Sequence, residues 1–343
     1  MPAGSGELRR RPAVVDLAVL AALVGLVLMA FSGWPGRLGG EVHRQLHATL
    51  VYVISAPFLI LTSAILLLER LVPANPDQKS FTPSSLMDGF FTFFLIPATS
   101  AFAVALTAPV ASWLDAHAGF LVVHATSTLP TGVAVGLGVL IGDFWAWFMH
   151  MLNHKIPLFW RFHVVHHSQE HLTFFTSNKV HPLDLLMDLV VLFLPFYFFF
   201  PDLLADRTTI TVVSLATLWW TRLQHANLRL NFGPLRYLLV TPQSHRIHHS
   251  VDPVHYNSNY VSVFAWDRLF RTQHPDSDSY PPTGIGDPNY PEATSFSPGA
   301  LLASLTGQLA YPFQRHRIAV ATGPRERPIR GVPHGSDGGK PLR

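Results

Sequence analysis

The longest apolar stretches of the chain restrict it to a helical membrane fold. An α-helix needs about 20 apolar residues to cross a hydrocarbon layer of about 30 Å, and there every backbone polar group must be bonded within the protein. Only 13% of the 343 residues are charged, against about 25% in an ordinary soluble domain. We therefore predict an all-α, polytopic bundle of four to six membrane spans. The candidate spans are residues 13–31, 50–68, 87–110, 131–149, 183–200 and 208–220.

The distribution of lysine and arginine predicts how this bundle is oriented. If the N-terminus is cytoplasmic and all six stretches cross, only Arg37, Arg44 and Arg207 lie outside, which leaves 21 of the 24 basic residues inside. Cytoplasmic loops carry such an excess of basic residues. The last two stretches are joined by a short turn, and a hairpin that only dips into the membrane predicts the same orientation.

Composition divides the chain into three regions. Residues 1–85 hold the N-terminal membrane helices, residues 86–275 hold most of the histidines, and residues 276–343 are rich in proline and glycine. In the last region, residues 297–313 predict a short surface helix and residues 323–343 predict disorder. The formal charge is only +3 and the basic residues form no stripe, so nucleic acid is not an expected partner.

Two short stretches repeat one spacing of histidines. Both "FHVVHHS" (162–168) and "SHRIHHS" (244–250) place histidines at positions i, i+3 and i+4, and "HMLNH" (150–154) places a pair at i and i+4. Residues at these spacings share one face of a helix. Thr241 and Pro242 supply a cap and a first helical position for the second triple. These eight histidines are His150, His154, His163, His166, His167, His245, His248 and His249.

Such clusters on one side of a membrane predict a metal centre. The chain has no cysteine, so a metal must be held by histidine or carboxylate. Eight histidines exceed the three or four ligands of one zinc site, so two ions sharing them is the natural division. Imidazole suits iron, copper and zinc alike. A metal transporter would instead spread its ionisable ligands through the spans.

The ordered set of motifs resembles the fatty acid hydroxylase/sterol desaturase superfamily of membrane di-iron enzymes. The resemblance extends over about residues 88–275, and it rests on the histidine pair and triples together with the words around them. Those words are "LFWRFHVVHHS" (158–168), "KVHPLD" (179–184), "LQHANL" (223–228), "TPQSHRIHHS" (241–250) and "NYVSVFAWDRLFRT" (259–272). By this resemblance, residues 86–275 are a catalytic domain with a cytoplasmic histidine-rich helical cap.

The resemblance also implies a reaction and its participants. It implies two iron ions, O₂, a lipid substrate that is hydroxylated or desaturated, and a separate electron donor such as a ferredoxin. It adds His225 as a ninth ligand and His181 as either a ligand or a hydrogen-bond partner of one. Asp143 lies about two turns before His150 and is a second candidate for bonding to an imidazole. A metal-binding protein without redox function, either a transporter or a non-catalytic relative, stays open as the alternative.

Overall fold

The helices of the chain are set by apolar stretches that end at prolines and capping residues. A computed structural model describes residues 36–79, 81–124, 128–201, 207–260 and 262–314. Within these residues no extended strand forms, and only isolated bridges such as Pro73 to Leu228 occur. The helices are α1 Gly36–Val53, α2 Ala56–Leu71, α3 Pro83–Phe90, α4 Ile96–Ala118, α5 Thr131–Lys155, α6 Pro157–His167, α7 Pro182–Phe199, α8 Arg207–His225, α9 Pro242–His248, α10 Trp266–Phe270 and α11 Pro298–Ala310.

Three helical stretches are long and apolar enough to cross a membrane. A single turn of π-helix at Phe91–Leu95 joins α3 to α4, so the first stretch runs over Pro83–Leu121, and α5 and α7 are the other two. Between 17% and 33% of their most apolar windows is buried inside the protein. Since most of this apolar surface faces outward, these helices are suited to contact lipid. The predicted spans at 87–110, 131–149 and 183–200 are confirmed as helices of this kind.

The predicted span at residues 50–68 is wrong as a single helix. The chain breaks at Ser55, which caps α2 through a 3.4 Å hydrogen bond from the backbone N–H of Phe58, and Pro57 lies in the first turn of α2. The two helices meet at an angle of 61°, as in a broken span or a re-entrant loop. Residues 13–31 and 323–343 lie outside the described residues. Residues 208–220 do form part of α8, but α8 is not among the helices apolar enough to count as a span.

The long helices α4, α5, α7 and α8 alternate in direction along the chain, and this gathers the histidines at one end. At the far end the backbone N–H of Val123 donates to Phe198 O at 2.7 Å, and the Tyr197 hydroxyl bonds to Asp115. Helix α5 therefore returns from that end, α7 runs toward it and α8 returns again. The C-terminus of α5, the N-terminus of α7 and the C-terminus of α8 consequently meet at the opposite end, which we call the histidine end.

The C-terminal segment, residues 276–314, packs over the histidine end. Helix α11 confirms the surface helix expected at 297–313, and its Leu309 carbonyl lies 3.2 Å from His181 Nε2. Beneath this segment the wholly buried ammonium of Lys179 lies 3.9 Å from Asp88 and 3.4 Å from Glu292. Removing one member of such a buried ion pair leaves the other charge uncompensated. The segment is thereby joined to α3 and to the loop before α7.

Candidate metal centre

Four helices bring the histidines together, and local sequence determines where each begins or ends. Helix α5 ends at Lys155, one turn after His150 and directly after His154, and Pro157 starts α6. Helix α9 starts with a capping box in which the Thr241 hydroxyl accepts from the N–H of Ser244 at 3.1 Å and the Ser244 hydroxyl accepts from the N–H of Thr241 at 2.9 Å. The helical spacing predicted for both triples is therefore present.

The nine predicted histidines form two groups of nitrogen atoms. Within each group, one nitrogen from every ring lies within 4.8 Å of the others, so each group is compact enough for one metal ion. Among the described residues, no further group of three or more possible metal ligands is found. The five-histidine group contains His150, His154, His163, His167 and His248, and the four-histidine group contains His166, His225, His245 and His249.

Each triple is divided between the two groups in the same way. The residues at i and i+4, His163 with His167 and His245 with His249, stay together, whereas the residue at i+3 joins the other group. An α-helix turns by about 100° per residue, so positions i+3 and i+4 lie on opposite sides of position i. One short helix can therefore supply both groups. Because each triple contributes ligands to both groups, the repeated spacing lets two short helices, α6 and α9, build parts of both groups.

The protonation of the rings leaves lone pairs directed into both groups. His225 Nδ1 lies 2.8 Å from Thr221 O and His248 Nδ1 lies 2.7 Å from Ser258 O, so each Nδ1–H donates outward. In a neutral ring the other nitrogen, Nε2, then carries the lone pair. His225 Nε2 lies 2.8 Å from His245 Nε2, and His248 Nε2 lies 3.0 Å from His150 Nε2. Converging lone pairs at such distances repel one another unless a cation or a proton lies between them, so the donor set fits metal ions.

Burial keeps these imidazoles in the neutral form that binds metal. Loss of hydration lowers the pKa of His248 to about 3, although its bond to Ser258 opposes the shift. Burial, followed by neighbouring imidazoles, also holds the pKa values of His167, His245 and His249 well below 6.5. Because a metal ligand must be deprotonated, these rings are available as ligands without losing a proton first.

One carboxylate that the sequence did not single out contacts the five-histidine group. Asp184, at the start of α7, is fully buried, and its Oδ2 lies 2.9 Å from His163 Nδ1. Such a carboxylate fixes the ring orientation and makes the opposite nitrogen a better ligand. In the sequence, Asp184 stands out only as the last residue of the motif "KVHPLD" (179–184). Its spacing of 21 residues from His163 gave no signal, because only the fold brings the two together.

The two less certain sequence candidates lie outside both groups. The Asp143 carboxylate accepts from the N–H groups of Val263 at 2.6 Å and Phe264 at 2.9 Å and from Trp266 Nε1 at 2.9 Å, and within the described part of the chain no imidazole is bonded to it. His181 caps α7 through its Nδ1, which accepts from the Leu183 N–H at 3.1 Å, and its Nε2 faces Leu309 O. Asp143 therefore holds the loop that leads to α10, and both nitrogens of His181 are engaged away from the metal groups.

Comparisons with known proteins agree with this arrangement. Residues 135–272 match the family model described as fatty acid hydroxylase, a region that contains all nine histidines. The resemblance to this family that the sequence motifs predicted is confirmed over this region. Among curated proteins, the chain is 30% identical over 188 residues to the ornithine lipid hydroxylase OlsE of Rhizobium tropici. It is 31% identical over 147 residues to the alkylglycerol monooxygenase of Danio rerio and 28% identical over 138 residues to that of Homo sapiens.

These similarities extend over only part of each protein. The match to OlsE includes 54% of this chain and 52% of that protein, and the match to the Danio rerio enzyme includes 41% of this chain and 30% of that protein. The chain thus spans about half the length of the first relative and under a third of the second. No solved structure shows a significant similarity to the chain.

Proposed function

We propose that this protein is a membrane enzyme that uses O₂ and two external electrons to hydroxylate a lipid. The observation that carries the proposal is the pair of buried histidine groups at one end of lipid-facing helices. The relatives named above are a lipid hydroxylase and monooxygenases, which supports hydroxylation over desaturation. In the balanced reaction, one oxygen atom enters a C–H bond, and the other leaves as water with two electrons and two protons.

The proposed ligands are the nine histidines of the two groups. Two iron ions held there would supply the reduction of O₂ and the attack on an unreactive C–H bond. The histidines hold the ions through nitrogens that burial keeps unprotonated, and the outward donors to Thr221 O and Ser258 O keep the rings oriented. No Gly-rich nucleotide-binding fingerprint is evident in the sequence, so the electrons come from a separate carrier such as a ferredoxin.

The surroundings of the histidines serve to exclude water from the reacting atoms. Eight of the nine rings are buried, and the C-terminal segment lies over them through Lys179 and Glu292. Water exclusion protects a reactive oxidant from side reactions. The lipid chain reaches this depth from the apolar layer around α5 and α7. Sterol, fatty acyl and ether lipid substrates are all compatible with such an arrangement.

The proposed orientation places the histidine end in the cytoplasm. It rests on the sequence alone, in which 21 of 24 basic residues fall on one side if all six predicted stretches cross, and a last hairpin that only dips into the membrane predicts the same side. Reporter fusions after Lys179 and after Arg271 should both read cytoplasmic, whereas a fusion near His117 should read external. A different side for the first two fusions would refute this orientation.

The experiment that tests the function combines metal analysis with oxygen labelling. Protein made under iron-replete conditions should carry close to two iron ions per chain. Membranes containing it, supplied with a reduced ferredoxin and ¹⁸O₂, should release a lipid product that is heavier by one labelled oxygen atom. Turnover should cease without O₂ or without the carrier.

Three other outcomes would each revise the proposal. Folded protein without any bound metal would overturn the metal assignment. Zinc in place of iron would not, because overexpression can load the wrong divalent ion. A product lighter by two hydrogens would identify a desaturase. Two retained irons with no lipid change under any tested carrier would favour a non-catalytic member of the family.

A further inference from the structure

A polar cavity of about 360 Å³ opens at the histidine end, beside the histidine groups and separate from them. Its walls are the turn at residues 233–240 and the short helix α10, which are held together by the bridge between Leu239 and Phe264 and by a 2.9 Å bond from the Ala265 N–H to Leu238 O. Its floor includes Ser244, the residue before His245. Three arginines line it: Arg236, Arg268 and Arg271.

The positive charge of this cavity exceeds its negative charge, because three arginines and two aspartates line it. Among the described residues, no salt bridge links a carboxylate to any of the three guanidinium groups. Two aspartates do line the cavity, but both have other partners. The Asp267 carboxylate accepts from the Thr272 hydroxyl, and the Asp276 carboxylate accepts from the N–H groups of Asp278 and Ser279 at 2.9 and 3.0 Å.

The backbone at Arg271 indicates that a long basic side chain is specifically placed here. Arg271 has φ of +59°, in the left-handed region that glycine occupies without strain and that other residues seldom adopt. Local backbone geometry alone would therefore favour glycine at this position. The chain instead places a guanidinium group at the cavity wall.

Large exposed apolar side chains surround the same arginines. Leu238 is 66% exposed and Leu269 is 69% exposed, and Leu235 and Phe270 are also exposed. Phe270 stacks on Trp147 at 4.4 Å between ring centroids, and Trp147 lies eight residues before the end of the apolar helix α5. The residues next to the cavity arginines therefore pack against the last part of a membrane helix, about 12 Å along its axis from its end. Arginines alternating with apolar side chains at this depth are typical of a surface in the head-group layer.

We propose that this cavity binds the phosphate of an anionic membrane phospholipid, with the acyl chains lying along Leu235, Leu238, Leu269 and Phe270. The planar guanidinium group matches phosphate through paired hydrogen bonds. Three arginines without a carboxylate partner, of which Arg236 and Arg268 lie over the Tyr237 ring, are therefore a suitable receptor. An acidic soluble protein would also be attracted by the charge, but the apolar rim would then be left in water. The proposed site is a binding site and does not depend on the proposed reaction.

The test uses the full-length protein in detergent micelles and three probes. The probes are a short-chain phosphatidylglycerol, a diacylglycerol of the same chain length, and inorganic phosphate. Binding is read from the shift in unfolding temperature as each probe is titrated, and metal content is measured in every sample as a check on folding. Phosphatidylglycerol should raise the unfolding temperature, and the other two should have little effect at the same concentration.

Two variants and one control locate the effect. The variant R236A/R268A/R271G should bind phosphatidylglycerol at least ten-fold more weakly while keeping its metal. Arg271→Gly alone should weaken binding several-fold and yet unfold at the same or a higher temperature without lipid, because glycine relieves the left-handed backbone. Arg70→Ala removes an exposed arginine at the end of α2 and should change nothing.

Specific outcomes would overturn the proposal. Equal phosphatidylglycerol affinity in the triple variant and the parent would remove the arginines from any lipid site. Equal affinity for inorganic phosphate and for the lipid would make the cavity a free-phosphate site. If the triple variant kept its lipid affinity but lost electron transfer from an acidic ferredoxin, the surface would instead be a docking site for a protein.

Discussion

The two histidine groups are built from the same helices but are supported differently. In the five-histidine group, His163 bonds to the buried carboxylate of Asp184 and His248 bonds to Ser258 O. In the four-histidine group, the outer bond of His225 is to a backbone carbonyl, Thr221 O, and no carboxylate is bonded to its rings among the described residues. A carboxylate makes imidazole a stronger donor to metal. The difference indicates that the two ions would be held with unequal strength.

The two groups also differ in how closely their ring nitrogens approach one another. The four-histidine group has a chain of short Nε2 contacts, from His166 to His225 at 3.2 Å, from His225 to His245 at 2.8 Å and from His245 to His249 at 3.1 Å. In the five-histidine group, His150 and His248 are in such a contact at 3.0 Å. A chelator titration should therefore remove metal in two steps. We expect the four-histidine group, with fewer ligands and no carboxylate, to release its ion first.

The largest expected effect is the removal of one ligand from each group in turn. His166→Ala and His248→Ala should each lower lipid turnover by more than about 100-fold, because the proposed reaction requires both ions and a deleted ligand would leave an incomplete site. Metal content should fall most at the altered group. His117→Ala is the control, since its ring bonds to Trp113 O on the far part of α4. If either ligand variant kept full turnover, the two-centre assignment would be wrong.

Asp184→Asn tests the asymmetry itself. The amide no longer provides a negative charge at His163, and we expect metal affinity at the five-histidine group to fall by about 10- to 100-fold, as is typical of such outer partners. The two steps of the chelator titration should then move together. Asp188→Asn is a matched control on the same helix, because Asp188 bonds to Asn153 at 3.2 Å and to no histidine in the described contacts. An unchanged order of metal release in the Asp184 variant would refute the asymmetry.

Sequence spacing predicted the helices of this site better than the division of its ligands. The i, i+3, i+4 pattern predicted α6 and α9, and Thr241 with Pro242 predicted where α9 begins. The pattern suggested that each triple points at one centre, whereas the structure sends His166 and His248 to the group opposite their neighbours. That division depends on how α6 and α9 face each other, and no local pattern contains this information.

Asp143 shows that helical spacing can predict a contact that the fold does not make. Its position about two turns before His150 suggested a bond to an imidazole, but in the structure the carboxylate lies against the backbone of Val263 and Phe264. Helical spacing gives the distance between Asp143 and His150 along α5. It does not tell which chain segment packs against the face of α5 that carries Asp143. Likewise, proline and glycine content gave little indication that residues 276–314 would cover the site through Glu292, because the contact with Lys179 joins positions 113 residues apart.

Asp143→Asn separates support of the loop from ligation. The variant keeps the shape of the side chain but loses charge-assisted bonds to the loop that runs from Ser258 toward α10, so we expect a loss of about 1–3 kcal/mol in unfolding free energy. Both ions should remain, with at most a small weakening at the five-histidine group, whose His248 bonds to Ser258 O. Asp115→Asn, which alters the carboxylate bonded to Tyr197 at the far end, should leave metal affinity unchanged. Loss of one full ion from the Asp143 variant would mean that this carboxylate is a ligand after all.

Substitution of His181, which lies outside both histidine groups, is expected to have the smallest effect on metal binding. His181→Ala removes the cap of α7 and should cost about 1 kcal/mol of unfolding free energy, while His181→Asn, which can accept the same N–H bond from Leu183, should cost a few tenths. Metal content and the order of metal release should match the parent in both variants, because neither ring nitrogen faces the histidine groups. Thermal unfolding and elemental analysis of the two variants measure these quantities together. A loss of metal in the alanine variant that asparagine restores would show that the cap positions Asp184, three residues along the chain, whereas a loss in both variants would return His181 to the set of ligands.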